Sequence, residues 1–152
     1  YMLINPKDMV TVYAGYADRD TDGKQSGNAD GSGNVEEGTY GLTITAGAIT
    51  AGIQQSYISM SNGGTQTVEH YDNQNWGVAF NVNDQLSFSY AEYESEEVLG
   101  TTGGQTLEID SVQVAYNMGG ATFKLAETEV SDAKYTAGVE NNATTVGISL
   151  AF

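Results

Sequence analysis

The run Asp18-Arg19-Asp20-Thr21-Asp22-Gly23 sets carboxylates at alternate positions and closes on a glycine, the pattern of the first half of a calcium-binding loop. Asp18, Asp20 and Asp22 would offer hard oxygen ligands, and Gly23 would allow the sharp turn. The second half fails. The bidentate acid belongs at the twelfth position, which is Ala29, so Asp30, Glu36 or Glu37 could complete a site only by another route. The run therefore reads first as a solvated acidic loop and second as a weak Ca2+ or Mg2+ site. His70, the sole histidine, sits between Glu69 and Asp72, where a general base could be held. No Gly-x-Ser-x-Gly elbow accompanies it, and without cysteine there is no thiol nucleophile, disulfide or zinc–thiolate site. Catalysis is not expected. Lys124 is of more interest, because it is the only basic residue inside an alternating apolar run, on the side shared by Thr122 and Ala126.

The elements that must position these residues are strands. The C-terminal run alternates without a break: Val146, Ile148, Leu150 and Phe152 fall on one side, Thr145, Gly147, Ser149 and Ala151 on the other. The same alternation recurs at Val10, Val12, Ala14 and Tyr16; at Tyr40, Leu42, Ile44 and Ala46; and at Ile49, Ala51 and Ile53. It continues at Trp76, Val78, Phe80 and Val82; at Leu86, Phe88 and Tyr90; at Val112, Val114, Tyr116 and Met118; and at Ala121, Phe123 and Leu125. This spacing predicts about eight strands. Tight turns are expected at Asn5-Pro6-Lys7-Asp8, Gly47-Ala48, Asn83-Asp84 and Gly119-Gly120, and long polar loops over 18–37, 59–69, 95–105 and 131–141. Long and short connections thus alternate, as they do when all long loops lie at one end of an up-and-down sheet.

Composition limits what such a sheet can be. With 152 residues the chain has room for one domain, and nineteen glycines, ten tyrosines and a single proline favour strands and turns over helices. No stretch approaches the ~18 consecutive apolar residues of a membrane helix, a limit that does not apply to a membrane barrel, whose strands need only alternate residues facing lipid. A formal charge of −15 repels phosphate backbones, so nucleic acid is excluded as a partner. Phe80, Tyr116, Phe123 and Phe152 fall near one end of the outward-facing runs, and Tyr16, Tyr40, Tyr57, Tyr71 and Tyr90 near the other, as interfacial rings do. The opposite side carries Gln54, Asn75, Gln113 and Lys124 among Gly, Ala, Ser and Thr, the make-up of a wet interior. A two-layer β-sandwich with one solvated face is the bland alternative. It would normally carry more Lys and Glu on that face.

Three segments carry a resemblance to a known family: His70-Tyr71-Asp72-Asn73-Gln74-Asn75-Trp76-Gly77-Val78-Ala79-Phe80, Asn117-Met118-Gly119-Gly120-Ala121-Thr122, and the ending Ile148-Ser149-Leu150-Ala151-Phe152. With them the chain resembles the C-terminal half of a Gram-negative general-diffusion porin of the alphaproteobacterial type, from about Val10 onward. The resemblance implies an all-β transmembrane antiparallel barrel in the bacterial outer membrane, half of a sixteen-stranded pore, assembled as a homotrimer. Residues 1–152 would then form the C-terminal portion of one barrel domain, with Tyr1 to Ile4 as the stub of a preceding strand. It implies small hydrophilic solutes and ions as cargo, outer-membrane lipid and lipopolysaccharide as surroundings, and no organic cofactor. Ca2+ or Mg2+ at the acidic outer loops would bridge them to lipopolysaccharide. Lys124, Gln54, Gln113 and Asn75 would line the pore. Val146, Ile148, Leu150 and Phe152 would be the signal read by the barrel assembly machinery. The family's constricting loop belongs to the other half of the barrel. Two alternatives remain: a closed eight-stranded structural or adhesive barrel, and a secreted calcium-stabilised β-adhesin.

Overall fold

The computed structural model describes residues 2–4, 9–22, 32–59, 68–100 and 103–150. They form nine strands: β1 (Met2–Ile4), β2 (Val10–Asp22), β3 (Ser32–Ala46), β4 (Ile49–Ser59), β5 (Val68–Asn81), β6 (Leu86–Leu99), β7 (Gln105–Asn117), β8 (Ala121–Ser131) and β9 (Asn141–Leu150). All nine lie in one antiparallel sheet, and each pairs with its neighbours in chain order. A sandwich needs a second sheet to cover one face, and every strand among the described residues lies in the first. The outer edge of β2, which a closed eight-stranded barrel would join to β9, is taken by β1 through Met2↔Ala14, Leu3↔Tyr13 and Ile4↔Val12. Among the described residues β9 pairs only with β8, so the sheet is open.

The short turns form where local chemistry allows them. Gly47 and Gly119 take φ of 60° and 78°, a conformation that costs a residue with a Cβ. At 82–85 the Asn83 Oδ1 accepts the backbone N–H groups of Gln85 and Leu86, both at 2.9 Å, replacing the bonds a backbone turn would supply.

The strands run well beyond their apolar stretches. Asp18 to Asp22 continue β2 and pair with 32–36, and Glu92, Glu94, Glu96 and Glu97 continue β6. Of the loops expected over 18–37 and 95–105, residues 18–22, 32–37, 95–99 and 105 are therefore strand, and the second connection shrinks to 100–104. Backbone pairing does not require apolar side chains, so a polar stretch can remain strand. The sheet has almost no core. Among the described residues with side chains, Val35, Ala133 and Ser95 are the buried ones, and nothing covers either face at large.

Candidate functional site

The two faces of the sheet differ in kind. One, the belted face, carries an apolar band. One row that crosses the sheet from β3 to β9 reads Ala46–Ile49–Phe80–Phe88–Val114–Leu125–Val146 and is apolar throughout. The next row, Val10–Ile44–Ala51–Val78–Tyr90–Val112–Glu127, turns acidic at β8. The row above, Val12–Leu42–Ile53–Trp76–Glu92–Asp110–Glu129, turns acidic already at β6. In a fourth row, Ala14–Tyr40–Gln55–Gln74–Glu94–Glu108, apolar character ends at Tyr40 in β3. The border thus descends by one residue per strand. At about 3.3 Å per residue and about 4.8 Å between strands, it cuts the hydrogen-bonding direction at about 35°.

Above the border the belted face is acidic. Asp18, Glu36, Asp72, Glu92, Glu94, Glu96, Glu108, Asp110, Glu127 and Glu129 lie there, half of the chain's twenty acids, with no lysine or arginine among the described residues. Carboxylate oxygens of Glu92, Glu108 and Asp110 come within 4.8 Å of one another. Tyr90 Oη donates to Asp110 and lies 3.4 Å from a carboxylate oxygen of Glu92. Glu108, above the band, has its carboxyl raised from the usual range by desolvation and then by the charges of Asp110, Glu92, Glu94 and Asp132. The stripe repels itself and attracts cations.

The Asp18, Asp20 and Asp22 backbone is extended strand paired with Glu36, Asn34 and Ser32, so it does not wrap an ion as a calcium loop must. The side chains of Asp20 and Asp22, like Gly23, Ala29 and Asp30, lie outside the described residues, as do the Asn5-Pro6 turn and Phe152. The closest described acids belong instead to adjoining strands. Val146, Ile148 and Leu150 stand on the belted face at 72%, 62% and 61% exposure. His70 is on that face too, its ring centroid 5.2 Å from that of Tyr57 and its Nε2 3.5 Å from Asp72 Oδ2. Tyr71, expected among the outward rings, is instead on the other face, opposite Ile58 and Glu97, because it shares the parity of Asn73 and Asn75.

That second, polar face is nearly uncharged over its lower part. One row reads Thr11–Thr43–Gly52–Gly77–Ala91–Ser111–Thr128–Ala143, and the row below it Thr45–Thr50–Ala79–Ser89–Gln113–Ala126–Thr145. All four wall candidates lie on it, in two pairs. Gln54 and Asn75 are direct cross-strand partners. Lys124 and Gln113 share a shallow hollow of about 320 Å³ floored by Ser87, Ser89, Ala115 and Gly147. Lys124 stands opposite Ala115 and Gly147, the sole charge in its neighbourhood of that face.

One arrangement here was not visible in the chain. A Cβ at Gly41 would meet the Tyr13 ring at 2.4 Å, so the glycine lets Tyr13 lie flat and donate to Gln54 Oε1 at 2.7 Å. Gly41→Ala is expected to push the ring away and lower the free energy of unfolding in urea by about 1 kcal/mol, the net worth of one such bond. On a Tyr13→Ala background the same change should cost nothing. An equal loss on both backgrounds would refute this account.

A scan of the chain against protein-family models finds no match, and a search of curated proteins finds none either.

Proposed function

We propose that this chain forms part of the wall of a water-filled β-barrel pore that lets small hydrophilic solutes and ions diffuse across a bacterial outer membrane. The observation that carries the reading is the oblique border of the apolar band. A flat lipid layer cuts every strand of a barrel at one height, and barrel strands tilt by about 35–45° from the membrane normal. The edge of a lipid-facing band must then cross the hydrogen-bonding rows at the same angle, and this border crosses them at about 35°. A sheet facing water on both sides has no reason for such an edge.

The band is five to seven residues tall on each strand, about 14–19 Å once tilted, against about 25 Å for a typical barrel. The uncharged Gln55, Gln74, Tyr40, Tyr57 and Thr144 just above it share the interfacial depth. The other face then lines the water. Its Gly, Ala, Ser, Thr, Asn and Gln side chains leave room and offer hydrogen bonds, while the backbone stays paired within the sheet. Transport needs no cofactor and no bond breaking. The open edges of β1 and β9 require partners. In this reading further strands close them into a barrel of about sixteen, wide enough for an aqueous channel, and three barrels associate as in general porins. The acidic stripe above the band would meet lipopolysaccharide phosphates through Ca2+ or Mg2+. The outward residues Val146, Ile148 and Leu150, with Phe152, would be read by the assembly machinery.

The test is single-channel recording in planar bilayers, with protein from the full gene purified in detergent. Stepwise conductance in groups of three is expected. Protein that never inserts, or that stays monodisperse in water without detergent, would sink the reading.

A further inference from the structure

The connection between β8 and β9 does not stand away from the sheet; it folds back over the polar face. Ala133 is buried there, and the Tyr135 ring rests on Tyr71 with centroids 5.5 Å apart. The Tyr135 hydroxyl lies 2.6 Å from Ser95 Oγ. Ser95, 1% exposed, has the most buried side chain among the described residues, and its hydroxyl donates to Asn73 Oδ1 at 2.6 Å. Since that hydroxyl has one proton to give, Tyr135 donates to it. Asn73 Oδ1 also accepts from Tyr93 Oη at 2.8 Å. Tyr71, Asn73, Tyr93 and Ser95 all belong to the polar face of β5 and β6.

The segment is held in an uncommon shape. Asp132, Lys134 and Tyr135 take φ of 51°, 58° and 54°, left-handed values that persist in non-glycine residues only where the surroundings enforce them. Internal bonds supply part of that enforcement: Ala133 N–H to Val139 O at 2.8 Å, and Gly138 N–H to Asp132 Oδ1 at 2.6 Å. A connection that merely joined two strands would need neither the strain nor the anchor.

Resting on the pore reading above, we propose that residues 132–139 form a fixed shelf that narrows the pore mouth from the β5–β7 wall and sets the size of solute admitted. Tyr135 is the residue that holds it in place. The shelf discriminates among uncharged sugars by bulk. Losing the anchor lets it swing out, and larger sugars then enter.

The experiment uses the full-length pore in planar bilayers and in liposomes swelling in sugars of graded size. Tyr135→Ala should raise single-channel conductance and speed the entry of larger sugars relative to small ones. Tyr135→Phe keeps the ring contact but loses the hydroxyl bond, and should fall between. A second variant guards against misfolding: Ala137→Cys, the only thiol among these 152 residues, should lose conductance when a bulky thiol reagent is added, while the parent protein keeps its conductance under the same reagent. Open channels whose conductance and sugar entry are untouched by Tyr135→Ala and by the modified Ala137→Cys would overturn the shelf and leave the pore standing. No channel from the unmodified protein would overturn both.

Discussion

Val78→Arg is expected to abolish assembly, while Ala79→Arg, one residue further along, leaves it intact. Val78 lies in the middle of the band, between Ala51 and Tyr90 across the sheet, and is 39% exposed with no protein layer over it. If that exposure is to lipid, an arginine near the bilayer mid-plane costs about 2–4 kcal/mol. If it is to water, the same change is an ordinary surface substitution, within about 0.5 kcal/mol of neutral. Ala79 points to the polar face between Thr50 and Ser89, where an arginine adds a cation to water and reduces cation flow. The measurement is the heat-modifiable folded band in outer-membrane fractions of cells expressing each variant. A Val78→Arg protein that folds as fully as its parent would show that the band does not face lipid.

The second large effect concerns selectivity. Lys124→Glu reverses the one charge on its part of the polar face, where Ala115 and Gly147 leave it unobstructed. At about 8 Å in water, two unit charges interact by about 0.5 kcal/mol. Reversing the sign changes a passing cation and a passing anion by about twice that, in opposite directions. Screening over a Debye length of about 10 Å at 0.1 M salt roughly halves the total, leaving about 1 kcal/mol. The cation-to-anion permeability ratio should therefore rise about fivefold. The check is the reversal potential in a salt gradient, and the shift should shrink in 1 M salt as screening tightens. A reversal potential that does not move would place Lys124 away from the conducting path.

Much of the lower half of the sheet was legible in the chain. Where apolar and small residues alternate, as in 74–82 or 112–118, side-chain parity follows from strand geometry alone, and Gln54, Asn75, Gln113 and Lys124 were assigned to the polar side by that rule. The upper half was less legible. Ser95, Glu96 and Glu97 fell in the segment expected as loop because they are polar, although water-exposed strand pairs as well as buried strand. For the same reason Tyr71 was assigned by its place near a loop rather than by its parity. The acidic run at 18–22 suggested an ion loop because spacing along the chain says nothing of whether the backbone bends.

Amino-acid order by itself determined the strand period, the short turns and the division of each strand into an apolar and a small-polar side, because these depend on residues within a few positions of one another. Only the tertiary structure decided the offset between neighbouring strands, and with it the oblique border, since a period of two is unchanged when a strand slides by two residues. It alone brought Tyr135 to Ser95 across forty residues of chain. That contact is set by the left-handed turn at 132–135, which no glycine marks, and by the shape of the polar face it closes over.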